Sequence, residues 1–295
     1  MPHKKPTLMI SALLAVALAS TSCSVFSLDV ENPDSTIHRS LLSDGRSRGY
    51  QVYLPQDRDH EGLPLVIVYH GSGGTSEGIR LLSRFDSTAA QLGFVAAFPD
   101  ATSDWAEGCD CSTADQNGID DVAFTSDLID AMALEFEIDT TRVFAAGFSQ
   151  GGLMVYRLAC ELSDEISGVA AVGAPMSLPL SENCTNPDAI PLMVVLGTQD
   201  EVFPWEGAYD SGNQSTLSAD STAQFWSAAN GCTGDRSSSL EFTGATSGIE
   251  VWREWYTGCP SSSEVVLYRL EGAGHIWPSG GFSASRTIGE FFMNQ

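Results

Sequence analysis

At 295 residues, 43% of them hydrophobic and with a mean hydropathy of −0.02, the chain is long enough for one large domain with a deep core and too apolar for a disordered one. The formal net charge of −24, with Lys4 and Lys5 the only lysines, excludes a surface for nucleic acid phosphates or for anionic lipid. Such an excess of acid is the solvation pattern of a salt-adapted protein. Thermal melts are therefore expected to shift upward in molar salt, and equal midpoints with and without salt would overturn that expectation.

The N-terminus differs in kind from the rest. His3-Lys4-Lys5 precedes an apolar stretch, residues 8–19, and then small residues, which together read as an export signal over residues 1–22. The apolar stretch is too short for a comfortable membrane span. Ala17-Leu18-Ala19 fits an ordinary cleavage site. Ser20-Thr21-Ser22-Cys23 fits a lipoprotein signal that would place a lipid on Cys23, although Ser20 stands where an aliphatic residue is usual. Of seven cysteines, setting Cys23 aside leaves an even set, as disulfides in an exported protein require. Cys109-x-Cys111 has no histidine nearby and no zinc spacing.

Residues 23–36 read as a tether, because Asn32-Pro33-Asp34-Ser35 carries turn formers and no periodicity. From residue 37 to 295 strand-like and helix-like patterns alternate. Residues 50–54 alternate like a strand, and 65–69 (LVIVY) form the continuous apolar run of a strand buried on both faces. A helix is expected over 79–92, a strand over 94–98, and a helix over 122–134 started by Asp120 and Asp121. A strand at 142–146, a helix at 153–162, and strands at 169–172 and 192–196 follow. A helix at 219–229, a strand at 265–270 and a terminal helix at 285–293 complete the chain. The pattern predicts an α/β fold, with a mostly parallel central sheet and helices on both faces, in one domain.

The chemistry centres on Gly147-Phe148-Ser149-Gln150-Gly151, a Gly-x-Ser-x-Gly motif between a strand and a helix. A serine on so sharp a turn is the nucleophile of an α/β-hydrolase fold, whose chain order is serine, acid, histidine. Gly74-Thr75-Ser76-Glu77-Gly78 fits the same pattern but lies in a glycine-rich loop beyond its strand, so Ser76 is read as a decoy. His275 is the only histidine after Ser149. Between them, Asp200 leaves the strand at 192–196, with Glu201 and Asp210 as fallbacks. The oxyanion hole is expected from the backbone N–H of Gln150 and that of Ser72 in His70-Gly71-Ser72-Gly73-Gly74, with Gly73 the alternative donor. His70 is read as structural. His275 would take the Ser149 proton during attack on an ester carbonyl, Asp200 would hold the imidazolium, and His275 would protonate the departing alcohol. This chemistry requires no metal or organic cofactor, and no nucleotide fingerprint or His-x-x-x-His pair points to one.

Several segments in this order, LVIVYHGSGG (65–74), DDVAF (120–124), RVFAAGFSQGG (142–152), residues 196–205 and GAGHIWP (272–278), resemble the polyhydroxybutyrate depolymerase/feruloyl esterase family of secreted α/β-hydrolases, carbohydrate esterase family 1 with its LpqC-like bacterial relatives. The resemblance runs from about residue 40 to 290. It implies Ser149, Asp200 and His275 as a triad and a disulfide between Cys232 and Cys259. Phe148, Gln150 and Ala273 depart from the residues usual there, and none of these removes a catalytic group. The chain ends one helix beyond His275, which favours feruloyl or acetyl esters of plant polysaccharide over polyester, whose depolymerases often carry a further binding domain. Trp205 and Trp277 flank the expected acid and base, where they could hold an aromatic acyl group or a sugar or else pack the core. Trp105, Trp226, Trp252 and Trp255 read as filler. A non-catalytic exported binding protein is the other class, but such proteins usually lose a triad member and all three are present.

Overall fold

The computed structural model describes residues 1, 36–56, 61–185, 187–207, 215–244, 249–260 and 263–295, and residues from Ser35 to Gln295 form one unit. The elements run β1 (Ile37–Ser43), β2 (Arg46–Tyr53), β3 (Leu65–Tyr69), α1 (Ser76–Ser83), α2 (Phe85–Leu92), β4 (Val95–Pro99), α3 (Thr113–Gln116), α4 (Asp121–Phe136) and β5 (Val143–Phe148). Then come α5 (Gln150–Glu161), β6 (Gly168–Val172), α6 (Leu178–Asn183), β7 (Leu192–Gly197), α7 (Ala219–Ala229), β8 (Arg236–Thr243), β9 (Glu250–Tyr256), β10 (Val265–Glu271) and α8 (Ala284–Met293). Cys23, all of the export signal but Met1 and all of the tether but Thr36 lie outside the described residues.

The strands build one ten-stranded sheet in the order β1-β2-β4-β3-β5-β6-β7-β10-β9-β8. The six strands from β4 to β10 are parallel, and antiparallel pairs β1-β2 and β9-β8 extend its two edges. Alternate side chains of each central strand enter opposite layers. Leu65, Ile67 and Tyr69 pack with α4, α5 and α7 through Phe124, Leu128, Tyr156 and Trp226. Val66 and Val68 pack with α1, α2 and α8 through Ile79, Phe85, Ile288 and Phe292. The α/β architecture expected from the alternating runs is the one found.

Three local differences have physical causes. The helix expected over 79–92 is two helices, because Arg84 takes φ 53° and closes α1 with its N–H on Arg80 O at 2.8 Å. The break turns Phe85 and Ala89 into the core. Of the two acids at the start of α4, only Asp120 caps it, accepting from Ala123 N. Asp121 is instead buried, pairing with Arg48 at 2.6 Å and accepting the Ala106 N–H at 2.8 Å, so it ties the loop after β4 to β2. Strands β1 and β8 carry too few apolar residues to stand out in sequence, and β9, EVWREWY, lacks a regular alternation.

Candidate active site

Ser149 links β5 to α5 at φ 55°, ψ −122°, a conformation that costs a non-glycine residue about 1–3 kcal/mol. The surroundings hold it there. Its N–H donates to Val172 O at 2.9 Å, and its carbonyl accepts from Gly152 N at 2.8 Å and Leu153 N at 3.1 Å. The motif glycines are steric necessities: a Cβ on Gly147 would lie 2.0 Å from Gly151 O, and one on Gly151 would lie 2.4 Å from Tyr69 O.

Asp200 follows β7 and is 4% exposed. One carboxylate oxygen accepts from Val202 N at 2.9 Å and Phe203 N at 2.8 Å, and the other lies 2.8 Å from His275 Nδ1. The loops carrying the two residues are joined directly, by Gln199 N to Ala273 O at 2.8 Å and Thr198 N to Leu270 O at 3.0 Å. With Nδ1–H donating to the carboxylate, Nε2 of His275 is left as an acceptor. The ring rests against Phe148, 4.9 Å between centroids, and its side chain is 18% exposed. It also borders Gly173, where a Cβ would come within 3.2 Å of His275 Cε1. Gly173 follows Val172, the residue that holds the Ser149 N–H, so Ser149 and His275 both border the carboxyl ends of β5 and β6, where open α/β sheets bind ligands.

The loop after β3 reaches the same edge. Gly74 N donates to Gly71 O at 2.9 Å, and Gly73 has φ +67°, as a turn with a left-handed third residue requires. A Cβ on Gly71 would lie 3.1 Å from Ser149 Cβ, which places the turn against the serine. Ser72 is exposed and its N–H meets no acceptor among the described residues. The N–H of Gln150 is one of the first-turn donors of α5 that have no intrahelical partner. His70 braces the turn. Its Nε2 accepts from Ala101 N at 3.1 Å, so Nδ1 carries the hydrogen and donates to Gly71 O at 2.8 Å. Burial lowers its pKa and keeps it neutral. A cleft of about 200 Å³ lined by Ser72, Ile79, Leu82 and Phe148 opens beside the turn.

The other expected residues fall as follows. Ser76 is the first residue of α1, buried and bonded through N and Oγ to Asp100 and through Oγ to Gln51. Glu201 is exposed, and Asp210 lies outside the described residues. Trp205 is half-buried beside the Asp200 loop, its carbonyl accepting from Ala219 N. Trp277 belongs to the buried core. It is 5% exposed, its indole N–H donates to Ser285 Oγ at 2.9 Å, and its ring meets Phe85 and Phe148 edge-on. Cys232 is bonded to Cys259, Cys160 to Cys184 and Cys109 to Cys111. The ligand atoms of Glu107, Cys109 and Cys111 lie within 4.8 Å of one another, but the two sulfurs bond each other and offer no thiolate. Sequence reasoning missed Glu107, a fully buried acid against the Gln150 side chain. No motif marks it.

The arrangement can support acyl transfer: a strained serine, an imidazole held by a buried carboxylate, and two free backbone donors on one sheet edge. Residues 52–219, more than half of the chain, match the model of the phospholipase/carboxylesterase family. The chain is similar to NocK of Nocardia uniformis subsp. tsuyamanensis, which carries an esterase name, with 28% identity over 84% of this chain and 76% of that one. It is also similar to feruloyl esterase B of Piromyces equi, with 28% identity over 73% of this chain, and spans only 40% of that relative's length. Among solved structures, the acetyl xylan esterase from Aspergillus awamori superposes with a TM-score of 0.61 at 13% identity, over 87% of this chain and 98% of that one. That likeness is one of fold. With its α/β-hydrolase-type sheet, the chain belongs to the phospholipase/carboxylesterase family and is a carboxylic ester hydrolase.

Proposed function

We propose that the protein is a secreted serine esterase that releases feruloyl or acetyl groups from plant polysaccharide, with Ser149 as nucleophile, His275 as general base and Asp200 as its orienting acid. The observation that carries this reading is the Asp200–His275 contact at 2.8 Å, on the sheet edge where Ser149 is held at φ 55°. His275 Nε2 removes the Ser149 proton as Oγ attacks the ester carbon. The oxyanion rests on the N–H groups of Gln150 and Ser72, and the imidazolium protonates the leaving alcohol. Water then repeats the sequence on the acyl-enzyme.

Feruloyl esterase B and the bifunctional acetylxylan esterase/xylanase of Neocallimastix patriciarum, 29% identical over 58% of this chain, support the substrate class. The cleft beside Ser72 is walled by Ile79, Leu82 and Phe148, apolar side chains suited to an acyl group. Three disulfides support an oxidising compartment. Among the described residues no helix is long and apolar enough to cross a membrane.

The test is hydrolysis of p-nitrophenyl acetate, methyl ferulate and acetylated xylan, beside clearing of a polyhydroxybutyrate film, by wild type and Ser149→Ala. Wild type should release ferulate or acetate, and Ser149→Ala should lose about 10³-fold or more in kcat. Equal rates for the two proteins would reject the triad. Film clearing without release of ferulate or acetate would replace the polysaccharide reading by a polyester one.

A further inference from the structure

The loop after β4 brings a carboxyl group into the core beside the oxyanion donor. Glu107 is 0% exposed, and its Oε2 lies 3.3 Å from Nε2 of Gln150, the residue after Ser149. The same Nε2 reaches Trp105 O at 3.4 Å, while Gln150 Oε1, also buried, has no partner among the described residues. The loop itself is held rigidly. Trp105 Nε1 donates to His70 O at 2.8 Å, Ala106 N to Asp121, and Cys109 is bonded to Cys111. The loop therefore keeps the Glu107 carboxyl buried beside the Gln150 side chain on the first turn of α5.

We propose that Glu107 is a positioning residue for the oxyanion hole, accepting from the Gln150 amide and opposing the oxyanion when ionised. The inference rests on the triad and oxyanion reading above. Burial pushes the Glu107 carboxyl up to about 7, and the neighbouring Asp115 adds to the shift. The other groups around it fix the balance of charge. Asp115 is shared with Arg157, whose guanidinium also donates to Ala106 O at 2.6 Å. Asp121 from α4 is neutralised by Arg48 from β2, and Asp104 caps α3 through Thr113 N and Ala114 N. No cation contacts Glu107 among the described residues, so ionisation leaves its charge uncompensated. The sign follows directly. As pH rises through about 7, a negative charge appears near the position where the tetrahedral intermediate carries its own. Two like charges about 10 Å apart, at an effective dielectric of about 20, repel enough to lower kcat by about tenfold or more.

The experiment measures kcat and KM for p-nitrophenyl acetate from about pH 6 to pH 9 in wild type and Glu107→Gln. The expected result is a wild-type kcat that falls about tenfold above neutrality with KM little changed, and a Glu107→Gln ratio of alkaline to neutral kcat that stays flat. Parallel profiles in the two proteins would overturn the proposal. If Glu107→Gln does not fold, Glu107→Met takes its place, and a profile parallel to that of wild type overturns the proposal in the same way. Ser149→Ala, run alongside, separates the two readings. Parallel profiles with Ser149 still required defeat Glu107 alone, whereas activity that survives Ser149→Ala defeats the site on which the proposal rests.

Discussion

Asp200→Asn is expected to lower kcat on p-nitrophenyl acetate by about 10⁴-fold while leaving the unfolding midpoint close to that of wild type. The carbonyl of Asn can still accept the N–H groups of Val202 and Phe203, which the carboxylate now holds at 2.9 and 2.8 Å, so the turn survives. The change falls on the other side of the group. Where Oδ2 accepts from His275 Nδ1 at 2.8 Å, Asn would present an NH₂ donor. The imidazole would answer by carrying its hydrogen on Nε2 and turning the bare Nδ1 toward the amide. A histidine in that tautomer has no lone pair left for the Ser149 proton, and the imidazolium formed in catalysis would face a dipole rather than a charge. KM should change little, because nothing in the substrate clefts moves. Glu201→Gln provides the contrast: its exposed side chain is not bonded to His275, so it should retain wild-type kcat. Full activity in Asp200→Asn, or a comparable loss in Glu201→Gln, would sink the assignment of the acid.

The parts of this site that sequence makes legible are those whose physics is local. LVIVY at 65–69 is apolar throughout because both of its faces are buried, so β3 is read to the residue. Ser149, Asp200 and His275, the proposed triad, could be singled out because each follows a strand in the order expected for such a fold. What is not legible depends on distant partners. RSSSLEFT of β8 has no alternation, because it is an edge strand paired only with β9 and half exposed. The break at Arg84 is decided by what Phe85 and Ala89 pack against and not by a breaker residue. Trp277 looks like a rim residue because it is two positions from His275. Its indole N–H finds Ser285 on α8, and the ring is drawn into the core. Glu107 has no sequence signal, since an acid in a polar loop reads as solvated until the loop is seen folded under Trp105.

Gly151→Ala should destabilise the protein by about 3–5 kcal/mol and lower kcat by at least about 10²-fold. The added Cβ would stand 2.4 Å from Tyr69 O and 2.7 Å from His70 O. Both are backbone atoms of β3 and its exit, so no side chain can rotate to make room. Relief requires α5 to lift from the end of β3. Gly152 cannot follow that movement freely, because a Cβ there would already lie 2.9 Å from Ala174 Cβ, and its N–H is tied to Ser149 O at 2.8 Å. The turn therefore shifts as a unit, carrying Ser149 out of its φ 55° conformation and the Gln150 N–H away from Ser72. Two measurements separate the consequences. Urea unfolding reads the steric cost, and the rate of covalent labelling by a fluorophosphonate, under conditions where the variant is fully folded, reads the misplaced nucleophile. Gly73→Ala is the comparison. Nothing lies within 4 Å of a Cβ there, and only its φ of +67° resists the change, at about 1 kcal/mol. If Gly151→Ala were no more costly than Gly73→Ala, the close approach of α5 to β3 would not be what holds Ser149 in its turn.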